Sequence, residues 1–322
     1  MTPRSYRMFG LSVSSDVVLE GISESTATAG FNLVIRRTEL DHPNLDRALS
    51  DQFITDGTAQ YFYWKAVGLF RIAAPDCIEV DPCSGVADRL VALPLLGTVV
   101  ASLLVRRGHS VLHASAVSMG GEAIIMLGHK GTGKSTTATT LVASGCDLIS
   151  DDVVALRSGP SGLVVLPAYG LVKLWNDSAS HLDPNGDHKL WQLHDAVDKA
   201  HFQFGTALAS SPLPVARLYV LGRGNIPGVE VLPAGEALPA ALERTYMSRF
   251  GIDGFAGTLP QHFAMLGELA GAGAIRRLTV PNDLKRTAEI LDLVRADLAV
   301  PTGIQPFAGS AGSAEQIAHL RS

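Results

Sequence analysis

The first 88 residues contain short apolar and aromatic runs separated by polar turn residues. Six such runs stand at positions 6–9, 11–13, 32–36, 61–64, 68–72 and 77–80. Their lengths and their aromatic and β-branched residues are typical of strands, and the distances between them are typical of hairpins. We therefore predict a small β-rich N-terminal domain over residues 1–88.

An uncharged run follows the turn residues at 82–85. Residues 90–105 contain no charged side chain, and arginines flank the run on both sides. A membrane-spanning helix needs about 20 apolar residues, and this run is shorter and contains Pro94. We predict a buried helix over residues 88–107 that connects two domains, and we expect no membrane insertion.

Downstream of this helix, apolar runs alternate with helix-compatible stretches, which predicts an α/β domain. Strands are expected at 112–118, 122–127, 147–150, 163–166, 216–221 and 275–280, and helices at 137–142, 239–250, 260–269 and 283–298. Gly120 and Gly121 predict a hairpin between the first two strands. We expect the polar stretch 178–204 to be irregular. The tail 301–322 is rich in Gly, Ala and Ser and is expected to be flexible, so the second domain covers residues 89–300.

The bulk composition narrows the class of protein. The chain has 322 residues, of which 47% are hydrophobic, enough to bury a sizeable core. A net charge of −5 and a pI near 6.0 argue against a basic nucleic-acid-binding surface, so we expect no nucleic-acid partner. The three cysteines lack metal-type spacing, and no long apolar segment follows the charged N-terminus. We therefore expect a reduced, cytoplasmic protein without a signal peptide.

Residues 128–135 match the phosphate-binding loop pattern at each fixed position. The glycines permit a tight turn that directs backbone N–H groups at phosphate oxygens. Lys134 would place its charge at the β- and γ-phosphates, and Ser135 would offer its hydroxyl to magnesium. A strand is predicted before the loop, and after it a helix whose N-terminus favours anions. The residues expected to bind the nucleotide are Gly128, His129, Lys130, Gly131, Thr132, Gly133, Lys134, Ser135 and Thr136.

An acidic pair, Asp151 and Asp152, ends the short strand predicted at 147–150 and follows Lys134 by only 17 positions. That distance allows one helix and one returning strand, so we expect both carboxylates beside the loop, at the C-terminal edge of the sheet. One carboxylate can bind magnesium together with Ser135, and the other can accept a proton from an attacking hydroxyl. The pattern predicts phosphoryl transfer from a nucleotide to a hydroxyl.

This combination of motifs resembles the HPr kinase/phosphorylase family, whose catalytic domain is related to phosphoenolpyruvate carboxykinase. The resemblance covers residues 108–175, about a fifth of the chain. It rests on the loop, on Ser150-Asp151-Asp152 at the family's short spacing, and on His113 in the strand before the loop. It implies an α/β fold with a P-loop kinase core of that type, and an ATP-dependent serine kinase that uses Mg²⁺.

The resemblance also implies roles for individual residues. Asp151 is similar to the family's base, which activates the substrate hydroxyl, and Asp152 to its metal ligand, with Ser135 as the second ligand. The order within the acidic pair is left open. His113 is similar to the residue that tunes or protonates the base, and Lys134 is expected to neutralise charge on the transferred group.

The chain also departs from the family. At 167–175, where the family carries a metal-binding glutamate, this chain has no acid, which argues against the reverse reaction and against HPr as substrate. The opening 6–11 resembles HPr-kinase-related proteins found with lasso-peptide maturation systems, which implies a peptide serine as acceptor. Lys173 and Arg277 are candidates for an anion contact or are solvated charges. Two other functions stay open, a nucleotide-binding module without catalysis and a small-molecule kinase. Whether the chain forms a homo-oligomer also stays open.

Overall fold

The computed structural model describes residues 2–57, 59–159, 162–182, 189–194, 197–203, 211–283, 286 and 288–303. Within these ranges the chain forms two seven-stranded sheets and one three-stranded sheet, with helices between and around them. The architecture is mixed α/β, as predicted. All but the first three residues of the tail that we expect to be flexible lie outside the described residues.

Seven short strands form the N-terminal sheet. They are β1 (Arg4–Met8), β2 (Leu11–Ser15), β3 (Leu33–Arg37), β4 (Asp51–Asp56), β5 (Ala59–Trp64), β6 (Gly68–Ala74) and β7 (Cys77–Pro82), in the order β1-β2-β3-β7-β6-β5-β4. Alternate residues are buried, as Leu11, Val13 and Ser15 are in β2, because successive side chains point to opposite faces of a strand. All six predicted strands are present. The pattern missed β4, which begins and ends with an aspartate.

Two short helices, α1 (Asp88–Pro94) and α2 (Val100–Arg106), follow this sheet and are joined by a π-helical turn, Leu95–Val99. Pro94 has no N–H to donate into the helix, and the wider turn begins directly after it. The stretch Asp88–Arg106 is long and apolar enough to cross a membrane, but 72% of its most apolar window is buried inside the fold. It packs as a core helix, as predicted.

One continuous hydrophobic core joins this helical segment to both large sheets. It contains Phe62 and Phe70 of the N-terminal sheet, Val99 and Leu103 of the helical segment, and Val153 from beyond the helix. The N-terminal strands therefore bury their inner face against a surface that the rest of the chain supplies. The division into domains at residue 88 stays a prediction, since this core extends across it.

The second large sheet carries the predicted loop. Its strands are β8 (Ser110–Met119), β9 (Glu122–Leu127), β10 (Asp147–Gly159), β11 (Gly162–Val165), β15 (Leu213–Arg223), β16 (Gly228–Val231) and β17 (Ile275–Val280). The small sheet contains β12 (Leu171–Trp175), β13 (Lys189–His194) and β14 (Val197–Gln203). The remaining α-helices are α3 (Lys134–Ala143), α4 (Asn176–Leu182), α5 (Ala234–Leu242), α6 (Leu259–Gly271) and α7 (Ala288–Leu298).

The strand order of this sheet is β11-β10-β8-β9-β15-β17-β16. Strands β9, β15 and β17 run parallel to one another, while β8 pairs antiparallel with both β9 and β10. The hairpin predicted at Gly120 and Gly121 is confirmed, and both glycines have the positive φ that such a turn requires. The short strand before the loop is also confirmed.

Three predictions for this half are wrong. The strand predicted at 147–150 continues to Gly159 because it pairs with β8 along most of its length, so the acidic pair lies within β10 and not at its end. In the stretch expected to be irregular, the described residues form α4, β13 and β14, since β14 pairs with β12, a contact that no local pattern reveals. The helix predicted at 239–250 is instead α5 at Ala234–Leu242, so it begins and ends earlier and Pro239 lies inside it.

A buried ionic network fixes α7 against the parallel strands. Asp297 accepts hydrogen bonds from Arg217 Nε at 3.0 Å, from Arg276 Nε at 3.3 Å and from the Tyr219 hydroxyl at 2.7 Å. Both arginine side chains are only 4% exposed. Burial and the bond to Asp297 together raise the pKa of Tyr219. One carboxylate thus pairs with two buried guanidinium groups, and its removal would leave both without a counter-ion.

We predict that Asp297→Ala lowers the free energy of unfolding by about 3–5 kcal/mol, the usual cost of breaking a buried ion pair. Urea denaturation followed by circular dichroism measures this change. The exposed Asp292 of the same helix provides the control, because Asp292→Ala should change stability by less than about 0.5 kcal/mol. Equal effects of the two substitutions would contradict a stabilising role for the network.

Candidate functional site

The predicted phosphate-binding loop joins the end of β9 to the start of α3, as the sequence predicts. Gly131 and Gly133 have φ values of 87° and 95°, in the left-handed region that glycine adopts without strain. Gly128 is needed for a different reason, since a Cβ there would lie 2.2 Å from the Thr132 hydroxyl oxygen. The loop geometry therefore depends on all three glycines.

Lys134 opens helix α3, yet its side chain turns back over the loop. Its Nζ donates hydrogen bonds to the carbonyl oxygens of Gly128 at 2.8 Å and His129 at 3.3 Å. The residue is only 8% exposed, so the ammonium lies at the base of the loop and not in bulk solvent. A phosphate held by the loop and the helix N-terminus would meet this charge.

Asp151 is held by groups from three other elements. Its carboxylate accepts hydrogen bonds from the hydroxyls of Ser135 in α3 at 2.9 Å and Ser115 in β8 at 2.6 Å, and from the backbone N–H of Lys173 in β12 at 3.0 Å. The β8–β10 register places Asp151 directly opposite Ser115. We expected the acidic pair beside the loop, and Asp151 does lie there, in contact with the Ser135 hydroxyl.

Asp152 has different partners. Its Oδ1 lies 3.0 Å from His113 Nδ1, and its Oδ2 accepts a hydrogen bond from Lys173 Nζ at 2.7 Å. In a regular strand, neighbouring side chains point to opposite faces, yet Asp151 and Asp152 line the same cleft. Asp152 has a left-handed φ of 73°, downstream of a register shift between Leu148 and Ser150. This distortion breaks the alternation and directs both carboxylates to one place.

The electrostatics of the site are dominated by Asp152 and Lys173. Burial raises the pKa of Asp152, but the ammonium of Lys173 and the ring of His113 outweigh burial and hold that pKa far below its usual range. Burial lowers the pKa of Lys173, and the Asp152 charge outweighs it and raises that pKa. Burial, with Lys173 nearby, lowers the pKa of His201 to about 3. At neutral pH Asp152 is thus an ionised carboxylate, Lys173 an ammonium and His201 a neutral imidazole.

The π-helical turn contacts this site. A Cβ placed on Gly97 would lie 3.0 Å from the Tyr246 hydroxyl oxygen and 3.8 Å from Asp152 Oδ2, so the glycine leaves room for both groups. Burial and the Asp152 charge raise the pKa of Tyr246 to about 12, which keeps the phenol protonated. Its ring packs edge-on against His113, with 5.7 Å between ring centroids. Sequence reasoning missed Tyr246 and Gly97, because neither belongs to a motif.

Two clefts meet at Asp152 and His113. The first cleft lies over the loop, and its lining includes Lys130, Lys134, Ser135, Asp151 and Arg223. The second cleft adjoins the first, and its lining includes Gly128, His129, Arg244, Tyr246 and Arg249. Both linings include Asp152 and His113, whereas Asp151 lines the first cleft and not the second.

Most of the predicted site residues come together in the first cleft. Its lining includes His113, Lys130, Gly131, Gly133, Lys134, Ser135, Thr136, Asp151 and Asp152. Gly128 and His129 line the second cleft instead. Arg277 pairs with Glu230 at 3.3 Å on the surface, as a solvated charge does.

Arg223 is a cation of the first cleft that sequence reasoning missed. It ends strand β15, which runs parallel to β9, and its guanidinium lies against Gly133. Parallel strands end at the same edge of a sheet, so the cation two positions after the predicted strand 216–221 was a usable signal. With Lys130 and Lys134, it gives the cleft a positive charge that suits phosphate groups.

The donor groups beside the loop fit magnesium. The hydroxyl of Ser135 and the carboxylate of Asp151 are hard oxygen ligands, and they lie within hydrogen-bonding distance of each other. No cluster of three or more His, Cys, Asp or Glu residues that could hold a metal ion occurs in the part of the chain that the structure describes. A metal here would be completed by nucleotide phosphates and water, which is how proteins usually bind magnesium.

Comparisons with known proteins add a weak structural neighbour. No protein-family model matches the chain, and no curated protein matches it. Among solved structures, the chain is similar to the HPr(Ser) kinase/phosphatase from Coxiella burnetii, with 15% sequence identity and a TM-score of 0.32, over 58% of this chain and 95% of that chain. That protein bears the name of the family that the motifs resemble. The similarity itself is too low to show a shared fold or activity.

We predict that Lys173→Met raises the pKa of Asp152 and lowers the free energy of unfolding at pH 7 by about 2–3 kcal/mol. This is less than the cost for a fully buried pair, because the two side chains are 21% and 28% exposed. A carboxyl group whose pKa is lowered by folding stabilises the folded state fully when the pH is above its unfolded-state pKa of about 4. That stabilisation is lost as the pH falls from there through the folded-state pKa. The difference between the variant and the unmodified protein should therefore shrink below about pH 4.

Carboxyl-detected NMR titration of Asp152 and urea denaturation at pH 7 and pH 3 measure these two effects. Lys65 is exposed on the N-terminal sheet, so Lys65→Met is the control and should change neither quantity. An unchanged Asp152 pKa in Lys173→Met would show that the ion pair does not set the charge of the site.

Proposed function

We propose that the protein is a kinase that transfers the γ-phosphoryl group of ATP to a hydroxyl of a peptide or small protein. The observation that carries the proposal is that two neighbouring carboxylates have different partners. Asp151 bonds the loop hydroxyl of Ser135, and Asp152 is held by His113 and Lys173 where the two clefts meet. Asp151 would therefore act on the bound nucleotide, and Asp152 on the acceptor hydroxyl.

The first cleft would hold the triphosphate. The loop N–H groups and the start of α3 would bind phosphate oxygens, and Lys134 would lie at the β- and γ-phosphates. Arg223 adds a charge at the rim of the same cleft. The charge of the transferred group is thereby offset from several directions, as phosphoryl transfer requires.

Asp151 and Ser135 would hold magnesium. When bound there, magnesium would neutralise charge on the β- and γ-phosphates. Asp152 is then the base, because it faces the second cleft while Asp151 does not. This assignment takes the order within the acidic pair opposite to the one that the family resemblance implies.

The reaction would proceed in line. The acceptor hydroxyl oxygen attacks the γ-phosphorus, the bond from that phosphorus to the β–γ bridging oxygen breaks, and ADP leaves. The hydroxyl proton passes to Asp152. In a loose transition state this proton leaves late, so a carboxylate of low pKa serves mainly to orient the hydroxyl. His113 and Lys173 keep Asp152 ionised and in place. We expect this reaction in the cytoplasm, where ATP and magnesium are available.

We predict that Asp152→Asn retains affinity for magnesium and ATP within about threefold but lowers transfer by about 10²–10⁴, the usual contribution of a general base. Asp151→Asn should instead weaken magnesium-dependent ATP binding, and Lys134→Ala should lose both binding and transfer. Isothermal titration calorimetry with MgATP measures binding, and labelled phosphate transferred from ATP to a mixture of serine peptides measures activity.

The exposed Asp177 lies in the first turn of α4 beside the site, and Asp177→Asn is the matched control that should change neither quantity. If Asp152→Asn kept full transfer while Asp151→Asn kept binding and lost transfer, the two roles would be reversed. Binding of ATP that survives Lys134→Ala unchanged would contradict the nucleotide site itself.

A further inference from the structure

The second cleft continues toward the N-terminal sheet. There it meets a groove, here called the aromatic groove, formed by Phe53 of β4, Phe62 and Trp64 of β5, and Phe250 from the short helical turn after α5. The ring centroid of Phe53 lies 4.7 Å from that of Phe250 and 5.0 Å from that of Phe62. The second cleft has a volume of about 420 Å³ and the groove about 360 Å³, within the size range of ligand-binding sites.

Arg249 lies where the two depressions meet and lines both of them. Its guanidinium carbon lies 5.0 Å from the ring centroid of Tyr246 on the cleft side and 5.0 Å from that of Phe250 on the groove side. It donates a hydrogen bond to the Thr98 hydroxyl at 2.6 Å. Among the described residues it has no salt bridge to a carboxylate, so this fixed cation can bind an anionic group of a partner.

Strand β4 adds a third element. It lies at one edge of the N-terminal sheet, so one of its backbone edges has no strand partner within the described residues. An extended peptide can pair with such an edge while its alternate side chains enter neighbouring pockets. Strand β4 contributes Phe53 to the groove, and Arg249 joins the groove to the second cleft, which Asp152 lines. A small acceptor would fill the second cleft alone and would leave the groove without a function.

We infer that the acceptor is an extended peptide held at two points besides its hydroxyl-bearing residue. Its hydroxyl-bearing residue lies in the second cleft beside Asp152, an acidic residue of the same segment meets Arg249, and an aromatic residue fills the aromatic groove. This inference rests on the proposed kinase function and adds the chemistry by which the acceptor is recognised. Charge complementarity at Arg249 and the continuity of the groove with the reacting carboxylate determine this occupant.

The test is a positional library of short synthetic peptides with one fixed serine. Each other position is varied in turn among phenylalanine, aspartate, lysine and alanine, and labelled phosphate transfer from ATP gives kcat and KM. We expect phenylalanine at one position, and aspartate between it and the serine, each to raise kcat/KM by about tenfold over alanine, the scale of one well-placed interface side chain.

Variants then link these preferences to the residues. Trp64→Ala and the milder Phe53→Leu should raise KM for the phenylalanine peptide and leave kcat nearly unchanged, because the groove binds the peptide without touching the reacting atoms. Arg249→Gln should remove the preference for aspartate alone. Val34 is exposed on β3 of the same sheet, and Val34→Ala is the control that should keep both preferences. Melting temperatures show whether each variant folds.

The outcomes separate the two proposals. If MgATP does not bind, or binds equally well to Lys134→Ala, the kinase function fails. If peptides are phosphorylated without an aromatic or acidic preference, or if Trp64→Ala and Arg249→Gln leave the preferences intact, the two-point site is overturned. It is also overturned if nucleotide binding depends on Lys134 but only small alcohols such as glycerol or a sugar accept phosphate.

Discussion

Two neighbouring carboxylates that share a partly buried cleft repel each other unless each has its own counter-groups. In this chain, Asp151 is surrounded by hydroxyl and backbone N–H donors, and Asp152 by an ammonium and an imidazole. These donors come from α3, β8 and β12, three elements that are separated in sequence. The acidic pair therefore links the small sheet to the large one, since the backbone N–H of Lys173 in β12 bonds Asp151 and its ammonium bonds Asp152.

The parts of the site that could be predicted are those in which neighbouring residues determine the geometry. The strand, the glycine loop and the helix occupy one short segment, and each glycine has a local steric reason that the sequence displays. The same holds for the hairpin at Gly120 and Gly121. The acidic pair was expected beside the loop because a short connection leaves few other places for it, and Asp151 does contact Ser135.

The rest of the site depends on contacts between distant segments. Tyr246 lies beside Asp152 because the segment after α5 returns to β8, where Leu112 and Thr245 form an isolated bridge. Lys173 could be named as a candidate but not as the partner of Asp152, since that pairing needs the β12 backbone to face β10. The left-handed conformation of Asp152 is likewise set by the sheet. Hydrophobic periodicity carries no information on these contacts, because it reports burial and not the partner.

The π-helical turn at 95–99 connects the N-terminal sheet to this site. Asp88 of α1 accepts a hydrogen bond at 2.7 Å from the N–H of Val18, which lies just after β2 of the N-terminal sheet, while Gly97 lies beside Tyr246 and Asp152. A π turn holds one residue more than an α turn, and one helical residue corresponds to a rotation of about 100°. Removing a single residue from the π-helical turn would therefore rotate α1 relative to the site. In related sequences this segment should tolerate exchanges among apolar residues but keep its length, so gaps in an alignment should avoid it.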